Sequence, residues 1–115
     1  MNFKQQYTLQ KRIEERTRIN ENYPDRVPII IERSGVSVAA LEKKKYLVPV
    51  NTTVGQLSFI IRKKITLTPE KAMFLFINGL IPPNSAPIGE VYSKQADPDD
   101  GFLYVLYSGE STFGN

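Results

Sequence analysis

Thr53-Val54-Gly55-Gln56-Leu57-Ser58-Phe59-Ile60-Ile61-Arg62-Lys63-Lys64-Ile65 is the stretch that decides the fold. Thr53 and Gln56 stand at capping-box spacing, so a hydroxyl and a side-chain amide three residues apart satisfy each other's backbone N–H at a helix start. Val54, Leu57, Ile60, Ile61 and Ile65 then recur at helical spacing and make one wide apolar face. A helix with one apolar face must bury it against another layer. What flanks it decides which layer.

Strand patterns flank it on both sides. Upstream, Val27-Pro28-Ile29-Ile30-Ile31 reads as a strand buried on both faces. Ser34-Gly35 and a short linker lead on to a second strand, Lys45 to Val50. Downstream of Pro69, Met73 to Ile77 reads as a third strand, and Asn78-Gly79 as a hairpin turn that needs positive φ at both positions. Leu80-Ile81 is expected to return as a short strand that Pro82-Pro83 stops. A brief helix over Ile88 to Lys94 precedes a last strand, Phe102 to Tyr107. At the front, residues 3–22 read as two helical pieces with Phe3 and Tyr7, then Leu9, Ile13, Arg16 and Ile19, on one edge. Tyr23-Pro24 ends this arm, because the residue before proline is pushed out of helical geometry. The expected order is αα-ββ-α-ββ-α-β, an α+β roll with one main helix on a small mixed sheet. Pattern alone leaves the strand order open. We expect a helical arm over 1–23, a core over 24–107 and a C-terminal tail over 108–115.

Composition narrows the function. The chain has 115 residues, 41% apolar and 23% charged, which suits one domain that hides roughly two-thirds of its unfolded surface. No apolar run approaches the roughly 18 residues of a membrane span, and Met1 to Gln10 lack a signal-peptide core. Cys and His are both absent, which removes thiol nucleophiles, cysteine zinc sites and the commonest general base. No two carboxylates form a catalytic motif, and Asp97, Asp99 and Asp100 read as a solvated loop. A non-enzyme without metal or cofactor is expected. Residues 34–64 place six basic side chains against Glu42 alone, a balance of +5, while residues 65–115 carry −4. A basic middle attracts acidic peptides or anionic lipid. With Tyr46 alone interleaved among these cations, base stacking and a nucleic-acid partner are not expected.

Several segments resemble one family, the ubiquitin-like autophagy modifiers of the autophagy-related protein 8 group, which includes GABARAP and the light chain 3 proteins. They are Tyr23-Pro24-Asp25-Arg26-Val27-Pro28, Lys43-Lys44-Lys45-Tyr46-Leu47-Val48-Pro49, Thr53-Val54-Gly55-Gln56, Ile61-Arg62-Lys63-Lys64 and Asp100-Gly101-Phe102-Leu103-Tyr104-Val105. The tail from Tyr107 to Gly114 completes the set. The resemblance runs from about Lys11 to Gly114 and implies a ubiquitin-like β-grasp with two extra helices in front. Thr8-Leu9-Gln10 stands where the family has Pro-Phe-Glu, and Thr52 and Leu57 stand where an aliphatic and an aromatic are usual.

What the resemblance implies about function has two parts. A cysteine protease cuts between Gly114 and Asn115, behind Phe113. Activating and conjugating enzymes then pass the glycine carboxylate to the amine of phosphatidylethanolamine. The chain moves from cytoplasm to autophagosomes and other cytoplasmic vesicles, where it supports membrane expansion. There it recruits cargo receptors and adaptors that carry an aromatic, two variable residues and an aliphatic. Such a peptide adds a strand to the edge Lys45 to Val48. The implied aromatic pocket is Glu15, Ile19, Pro28, Lys45, Leu47 and Phe102. The implied aliphatic pocket is Tyr46, Val48, Pro49, Leu57 and Ile60, with Arg26, Lys43, Arg62 and Lys64 as a charged rim. Read alone, Leu47, Val48, Leu57 and Ile60 are ordinary core. Two alternatives stand beside this: an unlipidated ubiquitin-like interaction module, and a basic protein for microtubules or anionic membranes.

Overall fold

The computed structural model describes residues 1–111. Residues 112–115, and with them the expected processing site at Phe113 and Gly114, lie outside the described residues. Two helices, α1 (Phe3–Gln6) and α2 (Leu9–Asn22), lead into β1 (Arg26–Arg33) and β2 (Lys45–Pro49). Then come α3 (Val54–Lys64), β3 (Phe74–Phe76), α4 (Ile88–Gln95) and β4 (Leu103–Ser108).

The strands form one sheet in the order β2-β1-β4-β3. β1 is antiparallel to β2 and parallel to β4, and β3 is antiparallel to β4. α3 carries the chain from one edge of this sheet to the other across its face. Its start is capped as the spacing predicts: Thr53 Oγ1 accepts the Gln56 N–H at 3.1 Å, and Gln56 Oε1 accepts the Thr53 N–H at 2.9 Å. Arg62, Lys63 and Lys64 fill its last turn, where cations favour the helix dipole.

Alternation sorts the strand residues onto two faces. Val27, Ile29, Ile31, Val48, Leu103, Val105 and Tyr107 join Val54, Leu57 and Ile61 of α3 in the main core. Ile30 points the other way, into a smaller cluster with Phe3, Ile19 and Phe102, against which Leu47 and Tyr104 pack. The N-terminal arm therefore covers the face that α3 leaves bare. This double coverage is why β1 is apolar at every position from Val27 to Ile31. Pro28 is tolerated in so central a strand because of register. The Ile31 N–H bonds the Lys44 carbonyl on the β2 side, so the Pro28 nitrogen faces β4. Pairing with β4 begins only at Ile29, and no ladder bond is lost.

Three expectations are corrected. Leu80-Ile81 form no strand among the described residues: a single bridge joins Ile77 and Leu80, and Leu80 and Ile81 are both exposed. Pro82-Pro83 bring no N–H groups to extend the pairing. The turn itself is as predicted, with Asn78 at φ 52° and Gly79 at φ 79°. The last strand starts and ends one residue later, so Ser108, expected in the tail, belongs to β4. Asp100 is no solvated loop residue. Its side chain is fully buried and bonds Arg12 Nε at 2.9 Å, besides accepting from the Phe102 N–H and the Tyr104 hydroxyl. Desolvation and this bond to Asp100 raise the Tyr104 pKa well above the phenol range.

Candidate functional site

β2 is an edge strand, so its outer N–H and C=O groups have no strand partner among the described residues. Successive side chains of β2 go to opposite faces. Leu47 packs onto the cluster under the arm, whereas Tyr46 and Val48 go to the α3 side. Apart from Pro49, which by the same alternation shares the side of Leu47, the implied aromatic and aliphatic sets thus fall on two sides of one open strand edge. That division follows from a period of two and from the two layers that cover the sheet.

On the arm side, Ile19, Pro28 and Phe102 are buried, and neither they nor Leu47 line the hollow that opens there. Above them Lys45 Nζ bonds Glu15 Oε1 at 2.6 Å, and Arg18 bonds the same carboxylate from the next turn of α2. Those two cations, Arg18 first and then Lys45, pull the Glu15 pKa down from 4.5 to about 2. At this end of β2 a hollow of about 880 Å³ opens between the arm and the segment leading into the strand. Lys11, Arg12, Glu14, Arg18 and Glu42 border it together with Glu15, Lys43 and Lys45. The first five were not singled out from the sequence. For the four on α2 the only sequence signal is the run of charges at three- and four-residue spacing, while Glu42 is the one acidic residue beside the lysine run before β2.

On the α3 side the implied residues divide by depth. Leu57 is 1% exposed and belongs to the core, with Val48 close beneath the surface. Ile60, at 38%, and half-buried Tyr46 present the outer apolar surface. The Tyr46 hydroxyl donates to the Lys43 carbonyl at 3.0 Å, and Lys64 Nζ lies 5.7 Å from the Tyr46 ring centroid. Arg26 pairs with exposed Pro49 at the far end of the strand. Arg62 lies elsewhere. Its guanidinium donates to the carbonyls of Thr68, Pro69 and Lys71, across the helix from Ile60, and organises the loop after α3 instead of the rim of β2.

The arm that makes half of this site is fixed by three carboxylates of the body. Asp100 holds Arg12, and its carbonyl accepts from Arg16 Nε at 3.0 Å. Asp97 holds Lys4 at 2.6 Å, and Glu32 accepts the Phe3 N–H at 2.7 Å. Arg12 also donates to the carbonyls of Lys4 and Tyr7, tying off the end of α1. Thr8 caps α2, its Oγ1 accepting the Lys11 N–H at 3.2 Å. A docked arm is thus built with Thr8-Leu9-Gln10 in place of the usual Pro-Phe-Glu.

An N-terminal helical pair on a mixed sheet, with an open edge strand beside the arm, is matched by known proteins over almost the full chain. Residues 11–114 match the family described as autophagy protein Atg8, ubiquitin-like. The chain belongs to the Atg8 family. It is 50% identical to autophagy-related protein 8d of Arabidopsis thaliana and to autophagy-related protein 8 of Schizosaccharomyces pombe, in each case over 97% of this chain and 93% of the relative. The crystal structure of Trypanosoma brucei ATG8 superposes with a TM-score of 0.89 at 41% identity, covering 99% of this chain and 98% of that one. The fold is therefore the ubiquitin-like Atg8 fold, and the protein is a ubiquitin-like autophagy protein.

Proposed function

We propose that this Atg8-family chain is a modifier that is cut after Gly114, joined through the new carboxylate to phosphatidylethanolamine, and used on autophagosomal membranes to gather cargo receptors and adaptors. The observation that carries the receptor half is the open edge of β2, with Leu47 on one face and Tyr46 and Val48 on the other. An extended peptide bonded to that edge sends alternate side chains to the two sides, which is the spacing of an aromatic and an aliphatic three residues apart. Lys43 and Lys64 lie near either end for an acidic flank.

The tail half rests on family membership together with the glycine at 114. Glycine has no Cβ and passes a narrow cleft that a side chain would block. The chain is the substrate throughout and supplies no catalytic group. Two acyl chains, at about 0.8 kcal/mol per buried methylene, hold stably where one is marginal. The purely electrostatic alternative is disfavoured because much of the basic segment is engaged: Lys45 with Glu15, Lys44 with Glu32, and Arg62 with loop carbonyls.

Intact mass after incubation with a processing protease of the family, and then with the conjugating enzymes, tests this. The wild-type chain should lose Asn115 and gain the mass of the lipid, while Gly114→Ala should do neither. Normal trimming and lipidation of the alanine variant would sink the modifier reading.

A further inference from the structure

We propose that Ser37 is a positioning residue for the C-terminal tail: its hydroxyl latches the tail root at Gly109 and sets the direction in which the tail leaves the domain. The role rests on the processing reading above.

The latch is part of a wrap around the end of β4. The loop over residues 34–41 crosses this end, and the Ser34 N–H bonds the Tyr107 carbonyl at 2.9 Å. The buried Tyr107 hydroxyl donates to the Ala39 carbonyl at 2.9 Å and accepts the Leu41 N–H at 2.8 Å. Beyond the last strand residue, the next two N–H groups have no ladder partner. Two serine hydroxyls take them: Ser37 Oγ accepts from Gly109 at 2.9 Å, and Ser108 Oγ accepts from Glu110 at 3.1 Å. The chain is thus held for two residues past the sheet, although Ser37 lies on an exposed loop.

The close approach explains the glycine. A Cβ at position 109 would stand 2.8 Å from Ser37 Oγ and 3.2 Å from Val38 Cγ1. Gly109 is not among the positive-φ residues, so it is needed for space and not for backbone freedom. Four residues separate Gly109 from Gly114, a reach of at most about 18 Å. With so short a tether, the direction of the root decides where the scissile bond can be presented. A root free to swing spreads that bond over many directions, and an enzyme that grips both domain and tail must select one of them. Holding the root removes that ordering cost before binding. It leaves the bond-breaking step alone, so it acts on KM and not on kcat.

The test uses the full chain and a family processing protease, with hydrogen exchange at the Gly109 amide as a second readout. Ser37→Ala should raise KM about three- to tenfold, the worth of one hydrogen bond, with kcat unchanged. It should also strip protection from the Gly109 amide while β4 stays protected. Ser37→Thr, which keeps the hydroxyl, should restore both. Normal cleavage of wild type with KM unmoved in Ser37→Ala overturns the positioning role alone. So does a change confined to kcat, or a Gly109 amide still protected without the hydroxyl. A wild-type chain left uncut overturns the processing reading and the positioning role together.

Discussion

The carboxylate of Asp100 carries much of the attachment between the arm and the sheet, across 88 residues of chain from Arg12. Both side chains are almost or fully buried, and the hydrogen bond to Asp100 raises the Arg12 pKa above its ordinary value. Removing one partner of a buried ion pair leaves an uncompensated charge, which costs about 3–5 kcal/mol. Asp100→Ala should lose about that much in urea unfolding, because the Phe102 N–H and the Tyr104 hydroxyl lose their acceptor as well. Arg12→Met in the same chain should recover part of the loss. A drop below about 1 kcal/mol would mean that water replaces the carboxylate. Leu47 and Lys43 give a contrast at the same scale. A large apolar side chain is worth about 1.5–3 kcal/mol when buried against a peptide, whereas an exposed lysine contributes about 0–1 kcal/mol. Leu47→Ala should therefore weaken an aromatic-x-x-aliphatic peptide more than Lys43→Ala does, and only the lysine effect should fade with added salt. Calorimetry at two salt concentrations checks this, and equal, salt-sensitive losses would mean a charged surface without pockets.

Among the elements, α3 shows why some of this architecture can be read from sequence. Its cap, its apolar face and its length are local properties, set by residues within a few turns of each other. The same holds for the Asn78-Gly79 turn and for β1, whose unbroken apolar run reports burial on both faces. Strand order is different. The parallel pairing of β1 with β4 joins segments about 75 residues apart, as in Ile29 beside Leu103, and no local pattern encodes it. The burial of Asp100 escapes local pattern for the same reason, since its partner lies on α2. At the candidate site the two sets are legible only through the family resemblance, because Leu47 and Val48 read alone are ordinary core. Depth was hidden, so Leu57 and Ile60 looked alike although one is core and the other is surface. Nor did the basic run at the end of α3 reveal that Arg62 turns to the following loop. That end holds a strained residue. Thr66 sits at φ 55°, a left-handed conformation that is costly for a β-branched side chain. The Leu67 N–H returns to the Arg62 carbonyl at 3.0 Å and closes the helix there. Glycine suits such a position. Thr66→Gly should therefore raise stability by about 0.5–1 kcal/mol, seen as a higher urea midpoint with an unchanged slope. A lower midpoint would show that the threonine side chain contributes more than its backbone costs.

At the scale of the whole molecule, the peptide edge and the tail root sit on different strands with β1 between them. β2 carries the open edge, while β4 ends at Ser108 and hands the chain to Gly109 under the 34–41 loop. The two proposed activities should then be separable. A Tyr46→Ala, Leu47→Ala double variant removes a wall from each side of the edge and leaves β4, Ser37 and the glycine at 114 untouched. It should still be cut and lipidated, but hold no aromatic-x-x-aliphatic peptide. Gly114→Ala should bind the peptide at wild-type affinity in solution and stay off vesicles. Folding must be measured first, because both residues pack against the cores and large-to-small truncation there costs about 2–5 kcal/mol. Vesicle flotation with the conjugating enzymes and calorimetry with the peptide separate the outcomes. If a folded double variant is bound by neither peptide nor conjugating enzymes, those enzymes must read the same edge as the receptors. β2 would then serve both halves of the function, and only the final transfer would belong to the tail.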